Sequence, residues 1–151
     1  MPRPRGGAWL EDEIRAWRDA GADLVVSLLE PAEARELELE AEESLCLQAG
    51  LDFKSFPIPD RGIPDSRSEV VQLVERLSNS VLGGNGVVIH CRAGIGRSAM
   101  VAAIVMLSLS AATDKVFELI SQARGCDVPD TLEQTQYALT FDRTRRTTSL
   151  F

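Results

Sequence analysis

The sequence predicts an α/β domain of three layers, with a mainly parallel central sheet of four or five strands flanked by helices. Two observations carry this. Short apolar runs with strand character, at Asp23–Leu29, Asp52–Ile58 and Gly86–His90, alternate with stretches of helical period. Glycines at Gly21, Gly50 and Gly83-Gly84 stop the helical stretches before the next run begins.

The elements follow in order. Leu10, Ile14 and Trp17 share one helical face behind an acidic first turn. Leu24-Val25-Val26 marks a buried strand. Pro31 opens an acidic helical stretch, broken once, that runs to Gly50; its glutamates read as a solvated face. The second strand alternates around Phe53 and Phe56 and leads into a loop of turn residues, Pro57 to Asp65. Ser66 and Glu69 form a capping box for a helix with the stripe Val70, Val74, Leu77 and Val81. Val87-Val88-Ile89 is a fully buried strand, and the nearly all-apolar helix from Gly96 is the central one. Two more helices are expected, near Thr113 to Arg124 and Asp130 to Arg143. One domain spans 1–151, with a core of about 9–143 and a tail, 144–151, expected to fray.

Composition narrows the function classes. The 151 residues are 44% hydrophobic, which suits one globular core. A net charge of −7 and a pI near 4.8 argue against nucleic acid and anionic membrane surfaces, which would repel the chain. Cys46, Cys91 and Cys126 have no disulfide or zinc spacing, and one histidine leaves little for a metal site. No metal or cofactor is expected. The start, Met1 to Gly7, lacks the apolar stretch of a signal peptide. The longest apolar run, Ala99 to Ala112, is shorter than the roughly 20 residues a membrane span needs. A soluble monomer in a reducing compartment such as the cytoplasm is the expectation.

The chemistry concentrates in Val87-Val-Ile-His-Cys-Arg-Ala-Gly-Ile-Gly-Arg-Ser98. A buried strand delivers Cys91 to the carboxyl end of the sheet, where ligands of open α/β sheets bind. Gly94 and Gly96 permit a tight loop with converging amides, and a helix starts at once behind it, its dipole aimed at the loop. Such an arrangement binds a dianion and favours a cysteine thiolate. Arg97, six residues on, reaches a phosphate as a fork.

His-Cys-x5-Arg-Ser, the HCX5R pattern, resembles the active-site loop of the protein tyrosine phosphatase superfamily. The wider likeness covers about Trp9 to Tyr137 and is greatest to the kinase-associated-phosphatase-like branch of the dual-specificity phosphatases, which has bacterial members. Val25-Val-Ser-Leu-Leu and Phe56-Pro-Ile-Pro-Asp-Arg-Gly-Ile-Pro-Asp65 support it. The resemblance implies a cysteine-dependent phosphatase fold hydrolysing phosphate monoesters of protein tyrosine or serine/threonine. It implies Cys91 as the nucleophile that becomes a phosphocysteine. Arg92, Ala93, Gly94, Ile95, Gly96 and Arg97 hold the phosphate, and Arg97 also stabilises the transition state. Ser98 bonds the sulfur, His90 orders the loop from behind, and Asp60 serves as general acid and then base. Related enzymes place a water-orienting glutamine where Gln134 stands, although Asp130 reads as a helix cap. Arg61 is either a solvated charge or a substrate contact.

The chain departs from the pattern in three places. Gly96 stands where many dual-specificity enzymes carry serine, and Ile95 where phosphoinositide-directed members often carry lysine. The lone tyrosine, Tyr137, lies far from any cleft-forming loop, so the pocket is expected to be shallow. Cys46 and Cys126 read as small buried apolar side chains. Gly94-x-Gly96-x-x-Ala99 fits a dinucleotide fingerprint, but Asp114, at the spacing of its acidic partner, lies in a helical stretch. Other readings of the same residues are a phosphatase acting on a soluble non-protein phosphate, a phosphate-recognising module with little turnover, and a sulfurtransferase. The last fits Asp60 and Arg97-Ser98 less well.

Overall fold

The computed structural model describes the backbone of residues 1–148 and the side chains of 1–141. Three parallel strands, β1 (Ala22–Ser27), β2 (Asp52–Ser55) and β3 (Gly86–His90), form a sheet of order β2-β1-β3. Register aligns Ser27 with both Ser55 and His90, so all three strands end at one level. The loops after them share one rim.

Alternation along the central strand decides the layers. Val25 packs with Leu10 and Ile14 of α1 (Leu10–Asp19), Leu39, and Cys46 of α3 (Glu42–Gln48). Leu24 and Val26 face the opposite cluster, built on α4 (Arg67–Leu82), α5 (Arg97–Ser108), α6 (Val116–Arg124) and α7 (Leu132–Thr148). α5 is buried on nearly every side, which its apolar sequence requires.

Local chemistry sets the helix ends. Pro31 is the first residue of α2 (Pro31–Glu36), and Glu30 and Glu33 make reciprocal capping bonds across it. Ser66 Oγ accepts from the Glu69 amide to start α4. α1 ends before Gly21, whose φ of 95° is open to glycine and costly for other residues.

Several expectations need correction. The sheet has three strands among the described residues, not four or five. Pro2 makes one isolated parallel bridge beside Cys91 on the edge of β3, where Met1 and Arg3 carry the backbone bonds: Cys91 N donates to Met1 O (3.4 Å) and Arg3 N to Arg92 O (3.3 Å). β2 stops at Ser55, although the Phe56 and Ile58 amides still bond the Ser27 and Leu28 carbonyls and carry the chain on beside β1. On α4, Val81 turns outward, while Leu73 and Ser78 lie buried with Val70, Val74 and Leu77. The tail expected to fray, 144–151, lies outside the residues whose side chains are described. Among the described residues no helix is long and apolar enough to cross a membrane.

Leu77 is completely buried between α4 and the sheet. Leu77→Ala is expected to cost about 2–5 kcal/mol, from lost transfer energy and the cavity left behind. Denaturant unfolding measures this; a loss near zero would mean that this layer collapses around the gap.

Candidate active site

The loop after β3 is held open from outside. The guanidinium of Arg124, near the end of α6, donates from Nε to Gly94 O (3.0 Å) and from Nη2 to Ala93 O (3.4 Å). A trans peptide points its N–H opposite its C=O, so the amides of Gly94 and Ile95 face away from Arg124. Gly94 has φ 71°, and a side chain there would run into the backbone of Met1 and Pro2. Cys91 is buried at the loop's start, its Sγ donating to Ser98 Oγ at 3.3 Å, and α5 begins at Arg97.

Arg97 does not reach outward into solvent. Its side chain is 2% exposed, and its donors are taken up on several sides. Nη1 and Nη2 fork onto Glu33 Oε2 (2.7 Å) and Oε1 (2.9 Å). Nη1 also reaches Ile58 O (3.0 Å) and Leu28 O (3.4 Å), and Nη2 reaches Asp60 Oδ1 (3.2 Å). Burial alone would raise the Glu33 carboxyl. The Arg97 hydrogen bonds and charge and the Glu30 amide outweigh it and hold Glu33 below its ordinary range. The same pairing overcomes burial at Arg97 and pushes it upward, so the guanidinium stays charged in a dry setting.

Asp60 sits at the mouth with its side chain 61% exposed. Beside it Arg61, at φ 57°, pairs with Asp130 (3.0 Å). Arg92 pairs with Glu36 (2.7 Å) on the surface. Behind the loop, the fully buried His90 ring meets Glu42 Oε1 through Nε2 at 2.7 Å and lies 5.9 Å from the Trp17 ring. Its Nδ1 has no protein partner. Gln134, also fully buried, donates from Nε2 to Gly62 O (3.0 Å).

Asp60, Arg61, Cys91, Arg92, Ala93, Ile95, Gly96, Arg97 and Asp130 line one pocket of about 240 Å³. Larger clefts lie between β2 and α4 and along the β3 edge, but neither is lined by a cysteine. Ser98 and Gly94 stand just behind the pocket. Cys46 lies away from it, its thiol pushed up to about 12 by burial and the nearby Glu42 charge. No group of three or more metal-ligating side chains converges among the described residues. The pocket can seat a tetrahedral anion between a thiol, a charged guanidinium and loop amides.

The sequence reading missed Glu33 and Glu42, both assigned to a solvated face and both buried. Glu33 precedes Leu37 by four residues and Glu42 precedes Cys46 by four, so each shares a helical face with an apolar residue. That spacing was the available signal. Thr131, not Asp130, caps α7: its Oγ1 accepts from the Gln134 amide, while Asp130 holds Arg61.

Removing one partner of a buried ion pair strands the other, so Glu33→Gln is expected to cost about 3–5 kcal/mol at pH 7. Because folding depresses the Glu33 carboxyl, its contribution is complete above the ordinary value of 4.5 and is lost as pH falls from there through the lowered folded value. The gap between wild type and variant in thermal melts should narrow below pH 4.5; a gap independent of pH would contradict this account.

Comparison with known proteins agrees with this geometry. Residues 1–110 match the family described as a polymorphic toxin system DSP-PTPase phosphatase, Tc-R-P. Over 92 residues the chain is 33% identical to cyclin-dependent kinase inhibitor 3 of Rattus norvegicus, covering 60% of this chain and 43% of that protein. It is 32% identical over 82 residues to dual specificity protein phosphatase 2 of Homo sapiens, covering 52% and 25%. The chain therefore spans under half the length of these curated relatives. A solved kinase-associated phosphatase, with its catalytic-site cysteine replaced by serine, superposes with a TM-score of 0.85 at 20% identity, covering 95% of this chain and 84% of that one. On the family match and on a pocket built around Cys91 and Arg97, the chain belongs to the DSP-PTPase phosphatases of polymorphic toxin systems.

Proposed function

We propose that this chain is a metal-independent phosphatase that works through a phosphocysteine formed on Cys91, as the HCX5R reading of residues 90–98 implies. The observation that carries it is the convergence of Cys91, the dry and charged Arg97, and the exposed Asp60 carboxyl on one pocket. In the first step Cys91, as the thiolate, forms an S–P bond as the ester P–O bond breaks. Protonated Asp60 gives its proton to the departing oxygen. Arg97 and the amides of the loop hold the equatorial oxygens as charge redistributes, which is where aimed donors act most strongly. In the second step water adds to phosphorus, Asp60 takes its proton, and the P–S bond breaks. Ser98 Oγ, in contact with Sγ, stabilises the departing thiolate.

The substrate we propose is a phosphorylated protein side chain. The similarity to dual specificity protein phosphatase 2 supports this. Asp60 and Arg61 stand at the mouth of a small pocket, a depth that suits phosphoserine and phosphothreonine as well as phosphotyrosine. The three free thiols fit a reducing compartment such as the cytoplasm.

Cys91→Ser is expected to abolish hydrolysis while retaining phosphate binding, and chelator is expected to leave wild-type turnover intact. Substantial activity in that variant would end the phosphocysteine reading.

Asp60→Asn is expected to slow a phosphoserine peptide by about 100- to 10,000-fold, the usual worth of a general acid. It should hardly slow the first-turnover release of nitrophenol from p-nitrophenyl phosphate, whose leaving group needs no proton; only the second step, shared by both esters, still needs Asp60 there. Rapid-mixing kinetics of the first turnover on the two substrates measure the contrast; equal losses in that turnover would remove Asp60 from the acid role.

A further inference from the structure

We infer that Gln134 is a positioning residue for Asp60: a strut that holds the loop 59–62 closed over Cys91, rather than a group that orients the attacking water. The inference rests on the reading of Asp60 as the general acid.

Four observations carry it. Gln134 is fully buried, and its amide is committed at both ends: Nε2 donates to Gly62 O at 3.0 Å, and Oε1 accepts from the Thr131 amide at 3.3 Å. These bonds hold the amide against the loop 59–62, and Gln134 does not line the pocket that holds Cys91. Second, Gln134 is wedged against the phosphate loop. A β-carbon on Gly96 would lie 2.8 Å from Gln134 Oε1 and 3.0 Å from Asp130 Cβ. A side chain at Gly96 would therefore press on the strut. Third, the loop that the strut grips is strained. Gly62 N closes a turn onto Pro59 O at 2.8 Å, with Asp60 and Arg61 at its centre. Arg61 takes a left-handed φ of 57°, which a side-chain-bearing residue adopts only when neighbours hold it. Fourth, a second contact comes from the same end of α7: Asp130 pairs with Arg61 at 3.0 Å.

Asp60 itself is mostly exposed and meets the site through one bond to Arg97. That bond alone does not fix a carboxyl to the accuracy proton transfer requires. Asp130 and Gln134 grip the two residues that follow Asp60, so the start of α7 sets where the acid stands.

The test compares Gln134→Met, which keeps volume and burial but removes the bond to Gly62, with wild type, Asp60→Asn and the double variant. Each is assayed on a phosphoserine peptide and on p-nitrophenyl phosphate, with rapid mixing for the first turnover. A displaced acid predicts a loss of about 10- to 100-fold on the peptide, the scale of a misplacement near 1 Å. On the nitrophenyl ester the rate of nitrophenol release in the first turnover should change only slightly. In the double variant Gln134→Met should add nothing to Asp60→Asn. Asp130→Asn, at a surface ion pair, should show the same substrate contrast more weakly, and it tests the loop without touching the core if Gln134→Met folds poorly.

A slowing of phosphocysteine hydrolysis by Gln134→Met that persists on the Asp60→Asn background, read from the slow phase after the nitrophenol burst, would mean that Gln134 serves the water. Equal losses on both substrates, or none, would also overturn the strut. If Asp60→Asn itself shows no substrate contrast, the acid assignment fails and the inference falls with it. A contrast in Asp60→Asn without one in Gln134→Met defeats the strut alone.

Discussion

The guanidinium of Arg97 has to stay charged while almost wholly out of water, and much of the molecule is arranged around that demand. A buried cation costs several kcal/mol unless its donors are all used and an opposite charge lies close. Glu33 supplies the charge, with both oxygens engaged. The carbonyls of Leu28 and Ile58 supply the rest, and each follows the end of a different strand. One side chain at the head of α5 thus ties together α2, the end of β1 and the start of the loop that carries Asp60. These elements meet only because the parallel register brings all strand ends to one rim.

The same demand explains how an acidic chain builds an anion site. Its net charge is −7, yet the arginines around the pocket each hold a carboxylate: Arg97 with Glu33, Arg92 with Glu36, Arg61 with Asp130. The first pair is buried and its charges are hardly screened. The other two are exposed and weak, so they orient side chains rather than stabilise the fold. The long-range field of the protein does not favour phosphate. Attraction has to come from donors a few ångströms away, in surroundings of low dielectric where distance and direction count most.

Support from behind follows the same logic. His90 and Glu42 form a polar pair inside an otherwise apolar layer, next to Trp17 and directly beneath the chain position of Cys91. Arg124 grips the loop carbonyls from the opposite side. The loop therefore owes its curvature to α3 and α6, elements distant from it in sequence. Gly94 and Gly96 permit the shape; they do not impose it.

From the sequence alone came the alternation of strands and helices, the strand that ends at His90, the apolar α5, the cap at Ser66, and the clustering of cysteine, glycine and arginine between residues 91 and 97. These are local properties: periodicity, turn chemistry and fixed spacing act within a few residues of each other and need no partner. Tertiary structure decided what depends on approach across long separations. It buried Glu33 against Arg97, 64 residues away, and Glu42 against His90, 48 residues away, although a stretch so rich in glutamate reads as solvent-facing. It gave Asp130 to Arg61 and left the cap of α7 to Thr131. It limited the sheet to three strands among the described residues, the amino-terminal segment making only one bridge beside Cys91. A carboxylate's sequence neighbourhood shows which helical face it occupies; only the packed structure shows whether a buried cation waits on that face to offset the cost of drying it.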